Sequence, residues 1–96
     1  MTTGQPSAAF TVPSNVLIQQ LPDGEAVMLD LDTERYFSLD HVGHRMVQEL
    51  VAHPTIDAAC GVLMTEFDVD PVKLRHDIDA LIEQLRSENL LALGSQ

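Results

Sequence analysis

His41 and His44 stand three residues apart at the start of a helix-like pattern, a spacing that puts two imidazoles on one face where they could share a divalent metal. A zinc site needs a third protein ligand. Glu49, His53 and Cys60 are the candidates, and their spacing matches no zinc pattern. Cys60 could act as a nucleophile beside a histidine. It falls, however, in an apolar helical stripe, next to Ala59 and one turn before Leu63, where a thiol behaves as a small buried hydrophobe. "DGE" (Asp23–Glu25) and "DLDTE" (Asp30–Glu34) supply carboxylates, but on turns, where acids are common. There is no glycine-rich phosphate loop and no G-x-S-x-G. These residues form no catalytic set, and the expectation is a non-enzymatic protein with no metal and no cofactor.

What remains is charge. Five Lys and Arg stand against fifteen Asp and Glu, a formal net charge of −10. That average field repels a phosphate backbone and an anionic membrane surface. Lys73, Arg75 and Arg86 share one helical segment, which leaves a winged-helix DNA-binding or regulatory domain as the alternative. Asp70, Asp77, Asp79, Glu83 and Glu88 lie on that same segment and would face the phosphates. We expect neither nucleic-acid nor membrane binding. A single cysteine excludes an internal disulfide and fits a reducing compartment. The N-terminus has no signal-peptide pattern, and no apolar run approaches the ~20 residues of a membrane span, so the expected location is cytoplasmic.

The elements that position these groups read clearly. The 96 residues make one domain. Residues 1–14 are small and polar and are expected as a flexible tail, with 94–96 as a second tail and the domain over 15–93. "NVLIQQL" (Asn15–Leu21) is a strand. "PDG" (Pro22–Gly24) is a turn in which Gly24 supplies a positive φ. "EAVMLDL" alternates, with Val27, Leu29 and Leu31 on one face and Ala26, Met28 and Asp30 on the other. "DTE" turns the chain again, and "RYFSL" puts Phe37 and Leu39 on one face, Tyr36 and Ser38 on the other. Three strands on tight turns make an antiparallel meander. Asp40, Thr55 and Asp70 are N-caps for three helices, the last with Pro71 at its first position. Their stripes are Val42, Met46, Val47, Leu50 and Val51; then Ile56, Ala59, Cys60, Leu63, Met64 and Phe67; then Leu74, Ile78, Leu81, Ile82 and Leu85. "NLLAL" closes with a short extended piece. The fold class is α+β, winged-helix-like, a three-stranded antiparallel sheet followed by three helices. A meander leaves edge strands with unpaired N–H and C=O groups, and "RYFSL" beside a helix offers a slot for an extended peptide.

Two stretches carry a family resemblance. "VMLDLDTERYFSLDHVGHRMVQEL" resembles the opening of PqqD-like proteins: a hydrophobic strand, a turn, an aromatic-rich "RYF-L", then a polar cap, a glycine and a helix. "TIDAACGVLMTEFDVDPVKLRHDIDALIEQLRSENLL" resembles the rest, with an aromatic before "DVDP", Asp77 in the last helix and leucines at its end. The resemblance covers residues 15 to 93. It implies a RiPP recognition element, a domain that binds the leader segment of a ribosomally made precursor peptide and presents it to a modifying enzyme. Small stand-alone members look like the leader-binding partner of a split lasso-peptide peptidase; others serve pyrroloquinoline quinone or radical-enzyme pathways. The resemblance implies that the leader adds as a strand beside Arg35, Tyr36, Phe37, Ser38 and Leu39. The helical wall of its groove would be Leu74, Arg75, Ile78, Leu81 and Ile82, with Arg75 or Lys73 meeting a leader carboxylate. The implied partners are the precursor peptide and a separate leader peptidase or other modifying enzyme.

Overall fold

In the computed structural model, which describes residues 8–94, the chain runs β1 (Phe10–Thr11), β2 (Val16–Gln20), β3 (Ala26–Asp30), β4 (Tyr36–Leu39), α1 (His41–Leu50), α2 (Ile56–Glu66), α3 (Pro71–Ser87) and β5 (Ala92–Leu93). The main sheet is antiparallel in the order β2-β3-β4, with Leu17 opposite Leu29 and Leu29 opposite Tyr36. This is the α+β arrangement that the alternation and the helical stripes predict. Val16, Ala26, Met28 and Leu39 bury the inner sheet face against the helices, while Leu17 and Tyr36 stay exposed on the outer face. Between β2 and β3 the chain reverses through Gly24 at φ 92°, a conformation that favours glycine.

Each helix begins at a side-chain acceptor. Asp40 accepts from the Gly43 N–H at 2.7 Å, Thr55 from Ala58 at 3.0 Å and Asp70 from Lys73 at 3.0 Å. Each satisfies one orphan amide of a first turn, a contribution of about 1 kcal/mol. The end of α3 is equally local. Asn89 takes a left-handed φ of 60°, its N–H donates to the Arg86 carbonyl, and the Leu90 N–H reaches back to the Leu85 carbonyl at 2.8 Å. Leu90 and Leu85 are both buried, the hydrophobic contact that accompanies this C-terminal motif. Met28, Val47, Leu50, Leu63, Ile78 and Leu85 are the fully buried centre of the core. No described helix is long and apolar enough to cross a membrane.

One expectation is corrected. Phe10 and Thr11, read as tail, pair with Leu93 and Ala92 to form a second, two-stranded sheet, and Phe10 is buried in the core. The Ala9 N–H donates to the His53 carbonyl at 2.8 Å, and the Gly94 N–H to the Ala9 carbonyl at 3.0 Å. Gly94 has no room for a side chain, because a Cβ there would overlap the Ala8 carbonyl. The reason is aromatic burial: in a chain with three Phe and no Trp, one Phe ring covers a large share of the core's surface. The rest of the expected tails, residues 1–7 and 95–96, lies outside the described residues.

Arg45 clamps α1 to α2. Its guanidinium donates to Glu66 at 2.8 and 2.6 Å, to Glu49 at 2.8 Å and to Gln48 at 2.7 Å, and Glu49 also meets His53 Nε2 at 2.8 Å. Hydrogen bonds from Arg45 hold both carboxyls below the ordinary glutamate value of 4.5. A carboxyl with a depressed folded pKa stabilises above its unfolded pKa, and that stability is lost as pH falls through the folded value. Arg45→Met is therefore expected to lower Tm at pH 7 by roughly 5 °C. The gap to the wild type should close as the pH drops below about 4. Circular dichroism melts between neutral and acid pH read this directly; a gap that does not change with pH would mean the clamp is not ionic.

Candidate functional site

β4 has β3 on one side and, among the described residues, no strand on the other. Its backbone parity follows from one hydrogen bond. The Asp30 N–H donates to the Arg35 carbonyl at 2.8 Å, and Asp30 stands opposite Arg35 one step beyond the pair Leu29 and Tyr36. Arg35 therefore turns its backbone groups toward β3. In an antiparallel strand this direction alternates. Phe37 and Leu39 are bonded to β3, and Tyr36 and Ser38 aim their N–H and C=O outward. The other side of β3 agrees. Leu21 donates to the Glu25 carbonyl and Leu31 to that of Asn15, so odd-numbered residues of β3 face β2 and even-numbered ones face β4. Four backbone groups on β4 thus lack a strand partner.

The edge is held at both ends by carboxylates. Buried Asp30 accepts from the Asp32 N–H at 2.9 Å, the Thr33 N–H at 3.3 Å and Asn15 Nδ2 at 3.0 Å. The Asp32 N–H, helped by Thr33 and Asn15, keeps this carboxyl below the ordinary aspartate range. The turn it organises passes through Glu34 at φ 63° and delivers Arg35 in register. At the far end Asp40 stops the strand and caps α1. Strand and helix therefore share one rigid frame.

Two clefts flank β4. One, of about 440 Å³, is lined by the apolar Phe37, Leu39 and Leu81 together with Glu25, Ser38, Asp40 and Gly43. The other, of about 110 Å³, lies at the opposite end and includes Arg35, Tyr36, Ser87 and Glu88. Arg35 reaches Glu88 at 3.8 Å in an exposed pair. β4 and α3 thus contribute to both clefts.

The sequence-based site residues divide. Phe37, Ser38, Leu39 and Leu81 come together at the larger cleft, Arg35 and Tyr36 at the smaller. Leu74, Ile78 and Ile82, read as groove wall, are buried in the core instead, because the apolar stripe of α3 is spent on packing. Arg75 is turned to α2: it donates to Asp57 at 2.7 Å and to Asp79 at 3.2 Å. It lies six residues before Leu81, roughly 120° around the helix. Lys73 is bound to Asp77 at 3.0 Å. Among the lining residues outside the sequence-based site are Glu25, Asp40 and Gly43 at the larger cleft and Ser87 and Glu88 at the smaller. Only Asp40 and Gly43 carried a signal, as the polar cap and glycine that follow the strand. Among the described residues no group of three or more His, Cys, Asp and Glu could hold a metal ion.

Comparison with known proteins gives the family and the fold. The model of the family Coenzyme PQQ synthesis protein D (PqqD) matches residues 25–91. No curated protein matches. A solved structure described as "TbiB1 in Complex with the TbiA(beta) Leader Peptide" is 27% identical, covering 84% of this chain and 93% of the other, with a TM-score of 0.75. A second, "Lasso peptide synthetase B1 complexed with the leader peptide", is 24% identical over 88% of this chain and 98% of the other, with a TM-score of 0.77, and shares the fold. With the family model spanning most of the chain, from the start of the central strand to just past the third helix, this protein belongs to the PqqD family.

Proposed function

We propose that this protein binds the leader segment of a ribosomally made precursor peptide, by strand addition to the open edge of β4, and holds it for a separate processing enzyme of the lasso leader-peptidase type. The observation that carries this reading is the pair of outward-facing residues, Tyr36 and Ser38, beside a cleft lined in part by Phe37, Leu39 and Leu81. Backbone bonds to the edge give affinity, and the clefts select side chains. The leader-peptide complex of a 27% identical neighbour supports the same class of ligand. The domain acts by binding and positioning, without catalysis of its own. Four of its five basic residues are engaged in ion pairs with its own acids, Arg35, Arg45, Lys73 and Arg75, so nothing favours a phosphate-binding reading.

Hydrogen exchange tests the docking mode residue by residue. In the free protein the Tyr36 and Ser38 amides should exchange fast, and those of Phe37 and Leu39 slowly. Adding the leader segment of a precursor encoded beside the gene should protect Tyr36 and Ser38 and change Phe37 and Leu39 little. Protection confined to another part of the molecule would overturn the reading.

A further inference from the structure

We infer that the docked peptide carries a lysine or arginine whose side chain lies in the larger cleft between Glu25 and Asp40. This rests on the docking reading above and specifies its ligand. The β3–β4 ladder ends at the pair Ala26 and Leu39, and the next residue on each side, Glu25 and Asp40, is an exposed carboxylate lining the larger cleft. Two carboxylates lining one cleft repel each other, and a cation between them removes the repulsion.

Among the described residues neither Glu25 nor Asp40 takes part in a salt bridge, whereas Lys73 is bound to Asp77 and Arg75 to Asp57 and Asp79. One Asp40 oxygen accepts the Gly43 N–H, which leaves the other available to a ligand. The same cleft is lined by the apolar side chains Phe37, Leu39 and Leu81. A cleft that combines apolar side chains with two carboxylates fits a side chain with an aliphatic stem and a charged head. A net charge of −10 also draws a cationic segment toward the edge before it docks. The leader class that suits this groove is therefore basic at the segment crossing the Leu39 end of β4.

A randomised peptide library selected on the immobilised protein, in parallel with Ser38→Pro and with the double variant Glu25→Gln, Asp40→Asn, tests this. Asn caps a helix as well as Asp does, so the double variant keeps α1. We expect enriched peptides to require an intact Ser38 edge and to share Lys or Arg at one position. On the double variant that preference should vanish, and replacing the basic residue by glutamine should weaken binding to the wild type by about fivefold. Enriched peptides that depend on the Ser38 edge but show no basic position, or keep it on the double variant, overturn this inference and leave the docking reading standing. If no enriched peptide depends on Ser38, the docking reading itself fails, and the inference with it.

Discussion

Proline at Ser38 is expected to leave the domain folded and to weaken peptide binding roughly ten- to hundredfold, while proline one residue earlier, at Phe37, damages the fold. Proline deletes one N–H and is tolerated on the open side of an edge strand. The Ser38 N–H points outward and has no intramolecular strand partner, so Ser38→Pro should melt close to the wild type. A bound leader then loses a donor, and an acceptor left unpaired costs about 1–3 kcal/mol, roughly a ten- to hundredfold rise in Kd. Tyr36→Pro should behave in the same way. Phe37→Pro breaks the ladder to Met28 and also removes a ring packed against the core. A loss of ~3 kcal/mol or more is a large part of the 5–15 kcal/mol that stabilises a typical domain. Phe37→Ala separates the ring from the backbone effect. Melts by circular dichroism beside fluorescence-polarisation titrations of the leader give both axes. If the folded Tyr36 and Ser38 variants bind like the wild type, the peptide does not dock on β4.

The second large effect separates two neighbours on α3. Ile78 is fully buried, so Ile78→Asp puts an unpaired charge into an aliphatic core, a cost comparable to the whole stability of the domain. We expect this variant to be unfolded at room temperature. Leu81 packs against the core from the rim and lines the larger cleft. Leu81→Ser should lower Tm by only a few degrees while weakening the leader about tenfold, because the cleft then offers less apolar surface for the peptide to cover. An Ile78→Asp variant that melts like the wild type would contradict the packing of α3. A Leu81→Ser variant with unchanged affinity would remove Leu81 from the site.

Much of this protein was legible in its residues because the governing interactions are local. Asp40, Thr55 and Asp70 cap their helices through amides three residues on, so type and spacing alone located the three helix starts. Alternation in "RYFSL" separated Phe37 and Leu39 from Tyr36 and Ser38, and the stripe of α3 named the residues that pack. Those signals require only neighbours within one turn or one strand.

Tertiary structure decided the rest. The outward aim of Tyr36 and Ser38 depends on register, which the Asp30 carboxylate and the left-handed Glu34 set inside the "DTE" turn; a slip of one residue would reverse it. Arg75 and Leu81 flank the same apolar stripe, and only the packing of α2 and β4 on opposite sides of it assigns Arg75 to Asp57 and Leu81 to the cleft. Phe10 sits in a two-residue strand too short to show a period, paired with residues from the opposite end of the chain. Glu25 and Asp40 read as an ordinary turn acid and an ordinary cap, and come to line one cleft only once β3 and β4 align. A local sequence pattern sets which face a side chain takes, whereas what stands opposite that face is set by which distant segments pair, and in what register.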